Sequence, residues 1–398
     1  MPLLTSLLIL IVSARLLGQL FKKINQPSIV GEMLAGVIIG PSVLNLIHPS
    51  AALSGIAEFA VFLVVLSAGL EMDFKDITSS LKGRGIIIAI LGFVIPLLSG
   101  ILVGVVFHMD VMRTVFLGLC ISITALPVAV SILQNFKLLN SEIARYSVAT
   151  AIFNDVAALL ALGVILNLPT QRSFQAVWVS ILSIGWKLIV LSAFILGFNW
   201  FLQKITERGI RIDRLSEKLV NTLGGEALFG ILVLFVLVFG SVSEALGFHF
   251  VIGAFFGALL IDRKFFLASR YKELERTLGS VSGGFLAPLF FAYIGLEFNV
   301  KAMSSLYFVV IVLIVSILSK IFAGWIGARL IQLSQAQALG IGIILNGRGI
   351  MELVVASIAF ERGFIGQGLF STLVLMGVVT TMITPMMFKK WVLPRLKI

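Results

Sequence analysis

Charge is scarce in this chain. Only 12% of its 398 residues are Asp, Glu, Lys or Arg, about half of what an ordinary soluble domain carries. A single cysteine, Cys120, excludes a disulfide framework and a CxxC metal site. The three histidines, His48, His108 and His249, stand apart from one another at segment boundaries, which removes a histidine metal centre or general base from consideration. No ten-residue stretches of alternating polarity occur, so a β-barrel is not expected. Met1 leads into Leu3-Leu4-Thr5-Ser6-Leu7 without a basic n-region, so no cleaved signal peptide is expected.

Apolar length is abundant instead. The composition is 59% hydrophobic with mean hydropathy +1.11, and runs of 18 or more apolar residues recur from end to end, each able to span about 30 Å of hydrocarbon. The expected class is an all-α polytopic membrane protein with about thirteen transmembrane helices, near 3–21, 27–45, 56–70, 85–107, 112–136, 143–166, 174–203, 225–246, 248–262, 282–297, 304–330, 335–360 and 366–388. The net charge of +11 follows the topology: 22 of the 30 basic residues fall in the odd-numbered connections and the C-terminal tail, and 4 in the even-numbered ones. That bias places the N-terminus outside and the C-terminus in the cytoplasm of a multi-pass cell (inner) membrane protein, and it leaves no reason to invoke nucleic acid.

Two halves are visible. Gly69-Leu70-Glu71-Met72-Asp73-Phe74-Lys75 recurs as Gly295-Leu296-Glu297-Phe298-Asn299-Val300-Lys301, an offset of 226, and Ile29-Val30-Gly31 is echoed by Val251-Ile252-Gly253. Seven spans separate the Gly-Leu-Glu copies, so they face opposite sides, the arrangement of inverted-topology repeats. Each half should then contain one broken helix. Thr124-Ala125-Leu126-Pro127 interrupts the fifth span, where Pro127 removes a backbone donor; Asn346-Gly347-Arg348-Gly349 interrupts the twelfth, with Gly347 and Gly349 as breakers.

Asp155 lies in the apolar run from Val148 to Leu162. A carboxylate at a membrane-helix centre costs roughly 2.5–3.5 kcal/mol on insertion scales, which makes it a functional candidate by default. A proton, a metal cation or a buried basic group can neutralise it, and a site able to choose among these trades a cation for a proton. Hard monovalent cations favour oxygen ligands; Asp155, the Thr124 hydroxyl and carbonyls freed near Pro127 offer them. Asn154 either joins that shell or bonds a neighbouring helix. Lys320, midway along the eleventh span, is the natural counter-charge for Asp155, with a structural salt bridge as the other reading. Arg348 and Glu352 are spaced to pair locally at i,i+4, or Arg348 holds the dipoles of the broken helices in place.

Gln26-Pro27-Ser28-Ile29-Val30-Gly31-Glu32-Met33-Leu34-Ala35-Gly36 through Gly40-Pro41-Ser42, with Gly69-Leu70-Glu71, Asn154-Asp155 and Gly347-Arg348-Gly349, resembles the cation:proton antiporter superfamily along nearly the whole chain. The opening motif and Lys320 resemble its second branch, which holds bacterial Na+/H+ antiporters and K+ efflux systems. The resemblance implies a homodimer in membrane lipid that exchanges Na+ or K+ for H+ without a cofactor or enzymatic activity. It implies a scaffold and dimer part near 1–45 and 174–262, and a core near 56–166 and 282–388 that carries the crossed broken helices past it. Asp155 would be the residue that binds either ion, and Lys320 its ion-pair partner. Electrogenic members carry Asp-Asp where this chain has Asn154-Asp155, so electroneutral 1:1 exchange is expected. The chain ends soon after the last span, so no nucleotide-binding regulatory domain of the K+ efflux kind is expected; a K+ efflux or channel-like pathway without that domain is the alternative. An intramembrane aspartyl protease would need two facing aspartates, and Asp155 alone is deep.

Overall fold

The computed structural model describes residues 1–24, 26–71, 83–167, 174–207, 217, 222, 224–261, 265–266, 268–303 and 305–396. Met72–Lys75 of the first Gly-Leu-Glu copy lie outside the described residues, as do parts of the basic connections between 72 and 82 and between 208 and 223. Among the described residues there is no strand. The helices are α1 Leu3–Lys23, α2 Ser28–Ile39, α3 Ala51–Glu71, α4 Gly85–Val106, α5 Val111–Ser122, α6 Leu126–Asn135, α7 Glu142–Leu166, α8 Phe174–Glu207, α9 Gly225–Ala245, α10 Phe250–Leu259, α11 Ala268–Val281, α12 Ala287–Glu297, α13 Leu306–Leu330, α14 Gln335–Ile344, α15 Ile350–Glu361 and α16 Gln367–Met387. Among the described residues ten segments are long and apolar enough to cross a membrane; the second and ninth expected spans are the short apolar helices α2 and α10, and the twelfth is divided between α14 and α15. The protein is an all-helical, multi-pass membrane protein.

Helix ends follow local chemistry. Asp110 caps α5 by accepting from Arg113 N at 2.9 Å. Ser334 and Gln337 form a reciprocal capping box that starts α14. Both caps sit where an apolar helix begins, and they satisfy donors that lipid would leave without partners.

The chain groups into two compact units, one of residues 1–57, 76–158 and 288–398 and one of residues 58–75 and 159–287. In the first, α4 packs on α5 and α13, α13 on α14, and α1 on α2. In the second, α9 packs on α10. Lipid tails are as apolar as leucine, so these contacts depend on close backbone approach rather than on exclusion of water. Gly31 of α2 leaves no room for a Cβ against Leu17 O of α1. Gly253 of α10 does the same against Phe239 O of α9, an offset of 222 for both members of the pair. Gly118 of α5 abuts Leu97 O of α4, and Gly342 of α14 abuts Ile321 O of α13, an offset of 224 for both members. Helix starts recur at offsets between 221 and 225: 3 and 225, 28 and 250, 85 and 306, 111 and 335, 126 and 350, 142 and 367. The sequence echo around Gly31 and Gly253 is therefore an echo of helix packing.

Candidate functional site at two crossed helix breaks

Two interruptions meet inside the first unit. α5 stops at Ser122; Ile123 (φ −72°, ψ 144°) and Ala125 (φ −81°, ψ 116°) are extended, and α6 resumes at Leu126. Pro127 falls in the first turn of α6, where its missing N–H costs little, so the open backbone precedes the proline. α14 stops at Ile344 and α15 resumes at Ile350. The breaks are laced together: Ala125 N donates to Gly347 O at 2.9 Å, and Thr124 Oγ1 donates to Leu345 O at 2.9 Å. Gly347 and Gly349 lie against Val128 and Ala125, where a Cβ on Gly349 would sit 2.8 Å from that of Ala125.

The carbonyls at the end of α5 have no partners within the helix, and they form the negative end of its dipole. Two cations cover them. Arg348 Nη1 donates to Cys120 O and, at 3.3 Å, to Ile123 O. Lys320 Nζ donates to Ser122 O, to Thr124 Oγ1 at 2.7 Å and to Gly92 O at 3.0 Å. Both side chains are fully buried. Arg348 is held in turn by Thr381 of α16, whose hydroxyl donates to Arg348 O at 2.9 Å, and Asn346 Nδ2 donates to Thr384 Oγ1 at 3.2 Å.

Asn154 and Asp155 bring α7 to this place. With its amide turned to satisfy both ends, Asn154 Oδ1 faces Lys320 Nζ at 3.2 Å and Thr124 Oγ1 at 3.1 Å, and Nδ2 donates to Thr150 O at 3.3 Å. Asp155 is 2% exposed, and its Oδ1 has no hydrogen-bond partner. The Lys320 ammonium interacts with Asp155 through space, but its three hydrogen bonds go to Ser122 O, Thr124 Oγ1 and Gly92 O. Arg348, in the break just before α15, pairs with Glu352 of α15 at 3.6 Å, both at zero exposure. Glu352 lies in the first turn of that half-helix, at its positive end.

Thr124, Asn154 and Lys320 thus touch directly, Asp155 adjoins them, and Arg348 with Glu352 stands across the crossing. The backbone ligands of Lys320 and Arg348 (Gly92 O, Cys120 O, Ser122 O and Ile123 O) carry no signature in a sequence. Thr381 and Thr384 do: with Thr380 they place three hydroxyls on two turns of the C-terminal half of a mostly apolar helix, a pattern that marks polar contacts inside a membrane bundle. Among the described residues no cluster of three His, Cys, Asp or Glu side chains is placed to hold a metal.

A family profile described as sodium/hydrogen exchanger, transmembrane, matches residues 7–393. The chain belongs to the sodium/hydrogen exchanger family. This exchanger is 26% identical over 388 residues to a probable Na(+)/H(+) antiporter, GerT, of Bacillus cereus, covering 97% of this chain and 98% of that one. It is 25% identical to the Na(+)/H(+)-K(+) antiporter GerN of the same organism, covering 96% and 94%. Cation/H(+) antiporter 20 of Arabidopsis thaliana is 30% identical over 94% of this chain, which spans 47% of that longer protein. In fold, the exchanger is similar to the sodium proton antiporter MjNhaP1 of Methanocaldococcus jannaschii, with a TM-score of 0.73 and 17% identity over 98% of this chain and 97% of that one.

Proposed function

We propose that this chain is a secondary antiporter that exchanges a monovalent cation, Na+ in preference to K+ or Li+, for H+ in a 1:1 electroneutral cycle. One observation carries the reading: Asp155 Oδ1 is buried without a partner beside a lysine whose donors are spent on other oxygens. An acid in that position accepts a proton or, together with Thr124, Asn154 and freed carbonyls, a dehydrated cation. It does not hold both, so occupancy by one excludes the other. Either ligand neutralises the carboxylate and lowers the barrier to moving the crossed helices through the membrane. With neither bound, the charge resists that movement, with Lys320 as the partial counter-charge.

Members of the family with high overall coverage are named as Na+/H+ or Na+/H+-K+ antiporters, which supports this choice of ions. The recurring helix register and the repeated glycine contacts support two inverted repeats, and with them an elevator-type movement of a core carrying the breaks against a scaffold, in a homodimer. The basic bias of the connections supports an N-terminus outside and a C-terminus in the cytoplasm of the cell membrane.

The test is proton flux in proteoliposomes driven separately by Na+, K+ and Li+ gradients, with a K+ ionophore clamping voltage in a parallel set. Wild type should move protons against the cation gradient at a rate that the clamp leaves unchanged, and Asp155→Asn should be silent. Exchange at the normal rate in Asp155→Asn sinks the assignment, and conductance without proton counter-flow points to a channel.

A further inference from the structure

A second set of polar contacts lies in the same unit, away from the buried cluster. α12 is locked to α2: Gly36 leaves no room for a Cβ against Ala292 O, and Gly295 leaves none against Met33 O. α16 holds the second helix break through the Thr381 hydroxyl on Arg348 O. Two hydrogen bonds tie these pieces together where α12 ends and α16 begins. Gln367 Nε2, in the first turn of α16, donates to Glu297 O, and Asn299 N donates to Ser371 Oγ at 2.9 Å. Ser42 Oγ, just after α2, donates to Phe298 O at 2.5 Å. Beside them Phe360 stacks on Phe370 at 4.7 Å and Phe116 on Phe364 at 5.6 Å, with Phe116, Phe370 and Ser371 fully buried. Two carboxylates flank the tie. Glu297 is hydrogen-bonded by Tyr293 one turn earlier, and its Oε2 is buried with no partner. Glu361, which accepts from Ser357 Oγ at 3.1 Å, acts on Glu297 as a like charge. The connections after α12 and after α15 are even-numbered, and the charge bias assigns them to the outside.

We propose that the Gln367–Glu297 and Asn299–Ser371 contacts form a latch that holds the outer side closed, and that Glu361 opposes this latch through its like charge on Glu297. The latch is made in the access state described here and broken in the outward-open one. The inference goes beyond the antiport reading and rests on it for alternating access. α16 cannot carry the Arg348 end past α2 while its first turn is bonded to a segment fixed on α2. Opening exchanges the two bonds for bonds to outside water, so each favours the closed state by its small net worth. Contacts made in one state alone set the ratio of the two states. The carboxylates work in the opposite sense, because closing holds two negative charges near each other with one oxygen lacking a donor. A weak tie set against a weak repulsion keeps both access states populated.

The experiment measures the KM for Na+ at each face in proteoliposomes of known orientation. A site open to one face in one access state has an apparent KM raised by the scarcity of that state. The ratio of cytoplasmic to outer KM therefore reads the balance between the states. Ser371→Ala and Gln367→Met should each raise that ratio about 2- to 10-fold, the worth of one hydrogen bond. Glu361→Gln should lower it about twofold at ~0.01 M ionic strength, and the difference should vanish when choline chloride raises it to ~1 M. A merely structural role would not move the ratio in opposite senses. Where these variants do not assemble, Asn299→Cys with Ser371→Cys carries the question: Cys120 is buried, so a short thiol cross-linker should join the two new cysteines and stop exchange. A ratio unchanged in all three variants or moved in the reverse senses, or exchange at the normal rate with the cross-link confirmed by mass, overturns the latch. Antiport then stands, provided wild type exchanges and Asp155→Asn does not. Absence of cation-driven proton flux in wild type overturns both readings.

Discussion

Lys320 Nζ lies 2.7 Å from Thr124 Oγ1, and this contact joins a charge on an unbroken helix to the open backbone of a broken one. Thr124 passes the link onward to Leu345 O at the second break. A change in the position of Lys320 is therefore felt at both breaks. If a cation at Asp155 competes with the lysine charge, Lys320→Gln should lower the KM for the cation. It should also leave Ser122 O and Gly92 O without their donor, at a cost of about 1–3 kcal/mol. Thermal unfolding in detergent and cation titration of proton flux separate the two effects; an unchanged KM in a folded variant excludes the competition.

Arg348 and Glu352 should behave as a coupled pair. Removing the arginine alone, as Arg348→Met, abandons a buried carboxylate and the carbonyls of Cys120 and Ile123, a loss of about 3–5 kcal/mol. Removing both charges, as Arg348→Met with Glu352→Met, should restore part of that loss, because two apolar side chains replace two desolvated ions. A melting temperature for the double variant no higher than that of the single one would show that the carbonyl contacts, not the ion pair, carry the energy.

The close helix approaches predict a contrast between two glycines. Gly342 abuts Ile321 O, whereas Gly185, on α8, has nothing within 4 Å of where a Cβ would stand. Gly342→Ala should destabilise by about 1–3 kcal/mol through overpacking. Gly185→Ala should be neutral or slightly stabilising, since alanine is the better helix former. Detergent-solubilised melting curves compare them directly, and equal shifts would refute the packing account.

Much of this arrangement is readable from letters, and the reason is specific. Asp155 and Lys320 stand out because charge is costly in hydrocarbon, and Pro127, Gly347 and Gly349 mark interruptions because they are poor inside a helix. The repeat was visible around Gly31 and Gly253 because those positions admit no side chain. What stayed hidden is the partner of each cation. Sequence reasoning pairs opposite charges and aims Lys320 at Asp155, whose charge it does feel through space; its hydrogen bonds, to Gly92 O, Thr124 and the Ser122 O left open where a half-helix ends, are what letters do not show. Backbone oxygens have no residue identity, and only their positions show them.

Asn154 sets a fourth expectation. Its amide faces Lys320 and Thr124 without adding charge, so a single carboxylate is left to alternate between ligands. Asn154→Asp would supply a second negative charge beside Lys320. Exchange should then become sensitive to membrane voltage, because a cycle that carries one more proton moves net charge. The readout is the ratio of proton-flux rates with and without a voltage clamp; a ratio unchanged from wild type would show that position 154 does not govern stoichiometry.

Competition for one carboxylate also fixes the sign of the pH response. Where Asp155 is mostly protonated, each bound cation must displace one proton. The apparent KM for Na+ should then rise about tenfold for every unit of acidification on the side where the cation enters, by linkage of one proton to one cation. At saturating cation the maximal rate on that side should not depend on the same pH change, because the proton has already been displaced. Acidifying the opposite side should instead accelerate turnover, since the returning carrier loads its proton there. Rates measured over a grid of Na+ concentration and pH on each face resolve the three relations. A flat KM against pH, or a maximal rate that falls with it at saturating cation, would mean that proton and cation occupy different groups.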